Sequence, residues 1–361
     1  MWVNRIQAAN IKKILLIQLG DIGDVVLSVP CAYALKAYYT GAEVMMAVRA
    51  KAARLLDAHP FIDGIFGVDI PTGNLSEQYR YQRNFFSALR RERFDVAIDL
   101  RTGQRGAILA LLSGAGIRAA FHAKDGNLWR NRVFSHLISP YATPGTHVIE
   151  QNLSLIKALG VDTQPIRPIL TVEATKKRMA ESLIRKMGVP DGNRLVAVQP
   201  FSLWRYKEWG VEKVASLIDH LTKIRDVSVL ITGSAAERDR AGAILNRTAG
   251  AVYNLAGRTD IGIYAAVLSQ CRLFVGMDSA GLHIAAAVDT PTLGIFGPTS
   301  AIDWAPRGRQ HHVVYENLPC VPCRRKGCMD SGISRCLIKL GVREVAQRAV
   351  HHLTNDVPDS S

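Results

Sequence analysis

At 361 residues and 48% hydrophobic content, the chain is too long for one typical domain and apolar enough to fill two buried cores. Its formal charge is +14, from 45 Lys and Arg against 31 Asp and Glu. That charge is spread over both halves without a basic tail, which favours polyanionic partners but does not choose among phosphates, nucleic acid and acidic membrane surface. The apolar stretch at 14–17 is broken by Gly20, Asp21, Gly23 and Asp24, which argues against a secretion signal, and no window reaches the roughly 18–20 apolar residues of a spanning helix. A cytoplasmic protein is expected, with any membrane contact peripheral.

Short runs rich in Val and Ile alternate with segments of helical period, the pattern of parallel βαβ units. Strands are expected near 13–19, 42–48, 64–68, 95–100 and 117–122, with helices between them, making one doubly wound α/β domain over residues 1–170. A Pro-containing stretch at 164–171 leads into a helix over about 173–187, and the alternation restarts at 195–199. The second domain therefore takes residues 171–361. Its further strands are expected at 227–232, 251–254, 273–276 and 292–296, with helices starting near Val211, Ala236, Ile261 and Ala280, and the polar tail at 355–361 is expected to fray. Open parallel sheets bind ligands beyond the carboxyl ends of their strands, so two such Rossmann-like domains facing each other would bound one cleft.

Two strand-to-helix turns carry candidate chemistry. The first strand runs into Gly20-Asp21-Ile22-Gly23-Asp24. Glycines there permit close backbone approach, and a carboxylate at a helix start is either a cap or a general base. Gly-x-Gly-x-x-Gly is absent from this turn, so it is not a dinucleotide fingerprint. The second turn is Met277-Asp278-Ser279-Ala280-Gly281-Leu282-His283. Free N–H groups at its helix start, beside Ser279 and the small Ala280 and Gly281, suit a diphosphate; the plain alternative is that Asp278 or Ser279 caps the helix and His283 fills a packed position.

Ile22-Gly23-Asp24-Val25 with Pro30 behind it, and Met277 to His283 followed by Pro291 and Phe296-Gly297-Pro298-Thr299, together resemble the ADP-heptose:lipopolysaccharide heptosyltransferase family, glycosyltransferase family 9. The likeness continues at Phe94 to Leu100, at Lys207-Glu208-Trp209 and at Gly233 with Glu237. It implies a GT-B fold and metal-independent, inverting transfer of heptose from ADP-L-glycero-β-D-manno-heptose to the lipopolysaccharide inner core, with no cofactor. By motif match, Asp24 becomes the catalytic base, with Asp21 ranked well below it. Ser202, Lys207, Glu237, Asp278, Ser279, Ala280, Gly281 and His283 fall to the donor, with Lys207 and the helix start facing the leaving ADP and Glu237 the ribose. Gly23, Arg101 and Arg105 fall to the acceptor. The implied partners are the ADP-heptose donor, a lipid-linked inner-core acceptor and the inner membrane face, without nucleic acid. Where the family commonly has Asp-Thr-Gly this chain has Asp278-Ser279-Ala280, which keeps the hydroxyl and adds a methyl group.

The remaining basic residues near the same strand ends, Arg118, Lys124, Arg130 and Arg132, are candidates for acceptor phosphates or carboxylates as a group, and solvated surface residues individually. Cys320, Cys323, Cys328 and Cys336, spaced C-x2-C-x4-C-x7-C, read as free thiols or, with less regular spacing than paired knuckles, as a zinc site. Competing classes are a nucleotide-sugar epimerase, a silent glycan-binding relative and a basic nucleic-acid-binding protein; the last has charge as its only support.

Overall fold

Strands covered on both faces read as continuous apolar runs, and both sheets of this chain are built from such runs. The computed structural model describes residues 11–69, 73–124, 129–140, 145–164 and 166–354; the polar tail at 355–361 lies outside them. The chain divides into two compact units, Met1–Thr171 and Val172–Ser361.

In the first unit β1 (Lys13–Gln18), β2 (Glu43–Arg49), β3 (Gly64–Val68), β4 (Val96–Asp99), β5 (Ile117–Phe121) and β6 (His136–Ile138) form one parallel sheet in the order β3-β2-β1-β4-β5-β6. Ile14, Leu15, Leu16 and Ile17 of β1 are wholly buried. Each such side chain stabilises the fold by about 1.5–3 kcal/mol relative to its exposed state. In register, Ile17 lies opposite Ala47 on one side and Asp99 on the other. The strand order reverses between β1 and β4, so the loops after these two strands flank the switch point where such sheets take ligands.

The second unit repeats the plan with β7 (Arg194–Gln199), β8 (Val227–Ile231), β9 (Val252–Asn254), β10 (Leu273–Met277), β11 (Thr292–Ile295) and β12 (His311–Val314), again all parallel, in the order β12-β11-β10-β7-β8-β9. Counted from β7, this is the same strand order as in the first unit, and its switch point lies between β7 and β10. Val196, Val198, Val275, Ile218 and Trp209 share one buried cluster with Leu337 and Leu340. The late segment is tied down through its carbonyls: Trp209 Nε1 donates to Leu340 O at 3.1 Å, and Lys213 Nζ to Leu337 O at 3.0 Å and Leu340 O at 2.8 Å. These bonds satisfy helix-end groups that would otherwise lack partners.

Strand positions follow the apolar runs to within a residue or so, and the helix expected over 173–187 spans Ala174–Lys186. Two strands fall outside the expected set. β6 is three residues long and β12 opens with His311 and His312; both are sheet edges with little of the apolar run that marks a central strand. All six cysteines are free thiols. Cys320 is exposed and Cys336 buried, and among the described residues no group of three or more His, Cys, Asp or Glu side chains is arranged to hold a metal ion.

Candidate active site

The first turn brings Asp24 to the carboxyl end of β1. Asp21 caps the helix Ile22–Val26, and Asp24 is its third residue, accepting a hydrogen bond from the Asp21 amide at 2.9 Å on Oδ2. The guanidinium of Arg101, from the loop after β4, reaches the same oxygen, with Nη1 at 3.0 Å. Both bonds land on Oδ2, which leaves Oδ1 as the oxygen able to take a proton. The cap and base readings of this turn are therefore compatible: one carboxylate oxygen holds the helix start while the other stays available. Gly20 sits directly beneath. A Cβ there would lie 2.4 Å from Asp24 Oδ2 and 2.7 Å from Arg101 Nη1, so only a hydrogen fits. Asp21 is spent differently: its Oδ1 pairs with Lys51 Nζ at 3.1 Å and Arg49 Nη1 at 3.4 Å. Gly23 lies inside the helix, its carbonyl accepting from the Leu27 amide at 3.0 Å.

Beside this turn the first unit has an open cavity of about 610 Å³. Its apolar lining includes Tyr81, Phe85, Phe86 and Ile108, and Arg49, Lys51 and Arg105 add three cations. Arg101 is not among the lining residues, so the two arginines expected at the acceptor part company: Arg101 holds Asp24 and Arg105 lines the cavity. Of the other basic candidates, two have different roles from those expected. Arg118 donates from Nε to Val133 O at 2.7 Å and from Nη1 to Ala115 O at 2.5 Å, stitching β5 to its surroundings. Arg130 is wholly buried and meets Asp99, itself 1% exposed, at 3.5 Å. Burial pushes the Asp99 carboxyl up to about 7, against the pull of the Arg101 amide and the Arg130 charge.

In the second unit, the residues after β7 and β10 meet at the switch point. Lys207, on the short helical turn Arg205–Lys207, puts Nζ 2.7 Å from Asp278 Oδ2, and the two side chains are only 17% and 7% exposed. A carboxylate repels phosphate, so Asp278 is better suited to aim Lys207 than to touch a diphosphate itself. Ser279 heads the helix Ala280–Ala287; its hydroxyl accepts from Gln199 Nε2 at 3.1 Å, which leaves the O–H free to donate. Ala280 is half-buried. The glycine the geometry demands is Gly281, where a Cβ would lie 2.0 Å from Gln199 Oε1 and 2.8 Å from the Tyr264 hydroxyl. Gln199 is fixed in turn, since Tyr264 donates to its Oε1 at 2.6 Å. Nothing in the sequence pattern singled out Gln199 or Tyr264; a glutamine ending an apolar strand at a switch point is the signal that was there to read. His283 is buried within the helix, 5% exposed.

Ser202 is nearly buried, its hydroxyl accepting from the Trp204 amide at 3.4 Å. Glu208, next to Lys207, takes both arms of the Arg240 guanidinium, which lies over the Phe201 ring at 4.4 Å. Glu237 follows β8 and caps its own turn, with Oε2 accepting from the Ser234 amide at 2.7 Å and hydroxyl at 2.8 Å. Oε2 of Glu237 thus serves the turn, and Oε1 carries none of these bonds.

Comparison with known proteins points to one family. The model of glycosyltransferase family 9 (heptosyltransferase) matches residues 82–333. Lipopolysaccharide heptosyltransferase 3 of Escherichia coli is 30% identical over 291 residues, covering 79% of this chain and 83% of its own length. Among solved structures, the family 9 glycosyl transferase of Veillonella parvula superposes with a TM-score of 0.84 at 17% identity, covering 97% of this chain and 99% of that one. The ADP-heptose lipopolysaccharide heptosyltransferase II of E. coli superposes with a TM-score of 0.78 at 20% identity, covering 94% and 98%. The fold is that of GT-B glycosyltransferases, with two Rossmann-like units built on parallel sheets. A family match over more than two thirds of the residues, together with a relative at 30% identity over four fifths of the chain, shows that this protein belongs to glycosyltransferase family 9, the heptosyltransferases.

Proposed function

We propose that this glycosyltransferase moves heptose from ADP-L-glycero-β-D-manno-heptose to a hydroxyl of the lipopolysaccharide inner core, with inversion at the anomeric carbon. The names of its relatives support that donor and acceptor. The observation that carries the reading on this chain is the Lys207–Asp278 pair at the start of the Ala280–Ala287 helix, a shielded cation beside free backbone N–H groups.

In this reading Asp24 Oδ1 takes the proton of the acceptor hydroxyl as its oxygen bonds to the anomeric carbon and the bond from that carbon to ADP breaks. The leaving diphosphate gains negative charge, which Lys207 Nζ, the Ser279 hydroxyl and the amides of Ala280 and Gly281 stabilise. Ser202 adds a hydroxyl contact, His283 supports the turn from within its helix, and Glu237 Oε1 accepts from the ribose hydroxyls. On the acceptor side Gly23 permits close approach at the first turn. Arg105, with Arg49 and Lys51, meets acidic groups of the lipid-linked acceptor over the aromatic lining of the cavity. No helix among the described residues is long and apolar enough to cross a membrane. With a lipid-linked acceptor as substrate, this reading places the enzyme in the cytoplasm, in peripheral contact with the inner membrane face, without a nucleic-acid partner.

Thermal stability with ADP, UDP, GDP and CMP in parallel tests the donor. A ligand at about 100 times its Kd adds roughly 2.7 kcal/mol. Selective stabilisation by ADP is expected, and stabilisation by a different nucleotide alone overturns the ADP-heptose assignment.

A further inference from the structure

The buried pair of Asp99 and Arg130 has no part in the chemistry above, and its geometry is not that of a simple salt bridge. Arg130 Nη2 is 3.5 Å from Asp99 Oδ2, whereas both partners make closer contacts to the backbone of one residue, Arg101. The Arg101 amide donates to Asp99 Oδ1 at 3.1 Å, and Arg130 Nη2 donates to the Arg101 carbonyl at 2.7 Å. The other arm of the guanidinium is anchored on Phe121 O at 2.8 Å and Asn131 Oδ1 at 3.0 Å, and the group lies 4.8 Å from the Phe134 ring centre. The carboxylate is equally constrained. Gly106 is pressed against it so closely that a Cβ there would lie 2.3 Å from Asp99 Oδ2.

We propose that the Asp99–Arg130 pair is a positioning device for the base: it grips the Arg101 peptide at both its N–H and its C=O, so that the Arg101 guanidinium stays on Asp24 Oδ2 and Oδ1 is left as the proton acceptor. This inference rests on the reading of Asp24 as the base. A buried guanidinium and a buried carboxyl are costly to retain where apolar side chains of similar volume would pack as well, so their presence calls for a role beyond packing. Their place supplies one. Asp99 ends β4, in register with Ile17 of β1, and Arg101 spans from β4 to the turn after β1 across the switch point. Arg101 has a long, half-exposed side chain, and without a fixed backbone it would sample many rotamers. Clamping its peptide removes the slack at the root of the side chain.

The test is a double-mutant cycle of Asp99→Asn and Arg101→Gln, with kcat expressed per folded molecule well below each thermal midpoint. Asp99→Asn can still accept from the Arg101 amide, but it turns a side-chain NH2 against the Arg130 Nη2 donor and so drives that guanidinium off the Arg101 carbonyl. Each substitution is expected to lower kcat about 10- to 100-fold, the loss typical of a misplaced catalytic group, with donor KM unchanged. Because both act through Asp24, the double variant should fall no further than the worse single one. Asp99→Asn with wild-type kcat per folded molecule, or effects that multiply in the double variant, would overturn the clamp while leaving the transfer reading intact. Should Asp99→Asn fail to fold, Arg130→Lys, which keeps the charge and loses the two-armed grip, is held to the same criteria. If the wild-type enzyme itself transfers no sugar, the reading of Asp24 fails separately, and crystal structures then decide the clamp. An Arg101 guanidinium displaced from Asp24 in Asp99→Asn supports it, and one still seated there overturns it.

Discussion

Asp24→Asn is expected to lower kcat by about 10²- to 10⁴-fold, the usual contribution of a positioned general base, with little change in ADP affinity. Asparagine is isosteric and can still accept the Asp21 amide through its side-chain oxygen, so the turn keeps its shape. What it cannot do is take a proton. The ion pair with Arg101 is lost as well, but with 49% of the arginine side chain exposed that pair is worth at most about 1 kcal/mol. Steady-state ADP release in the presence of acceptor, beside an ADP titration, separates the two effects. A loss of kcat below about tenfold would remove Asp24 from the role of base, and a parallel loss of ADP affinity would mean that the substitution had disturbed more than the turn.

Lys207→Ala is expected to act on both stability and rate. Asp278, whose side chain is 7% exposed in the wild-type protein, loses its partner, and stranding one member of a buried pair costs about 3–5 kcal/mol. In the proposed reading the leaving diphosphate also loses a stabilising cation, and removal of one such group costs about 10²- to 10³-fold in kcat. The companion variant Lys207→Ala/Asp278→Asn separates the two. It removes the stranded charge, so much of the thermal midpoint should return while kcat stays low. Recovery of kcat together with stability would show that Lys207 serves the fold alone.

Much of this was legible in the sequence because the fold repeats a simple rule. Apolar runs buried on both faces mark the central strands, and small or acidic residues just past their ends mark the strand-to-helix turns at the two switch points: Gly20 to Asp24 after β1, Asp278 to Gly281 after β10. The family resemblance then assigned roles that spacing alone left open between cap and catalyst. At Asp24 one carboxylate oxygen serves the helix start and carries Arg101 while the other takes neither bond, so cap and base are compatible and local pattern could not decide. What stayed hidden depended on side-chain contacts between segments far apart in the chain. Arg130 looks like any other basic loop residue until its partner 31 positions away is known. Gln199 gains meaning only against Gly281 and Tyr264, and it is Gly281, not position 280, whose missing side chain the packing requires. Edge strands β6 and β12 escaped for a different reason, since short half-polar segments at a sheet edge owe their pairing to the neighbouring strand more than to their own periodicity.

The most direct test of the central claim is mass spectrometry of an inner-core lipopolysaccharide acceptor incubated with the enzyme and ADP-L-glycero-β-D-manno-heptose. The account predicts an acceptor heavier by one heptose, ADP released in equal amount, and neither product with Asp24→Asn on the same timescale. Donor consumed without any acceptor present, or an acceptor of unchanged mass with each of the inner-core heptose positions on offer, would contradict it.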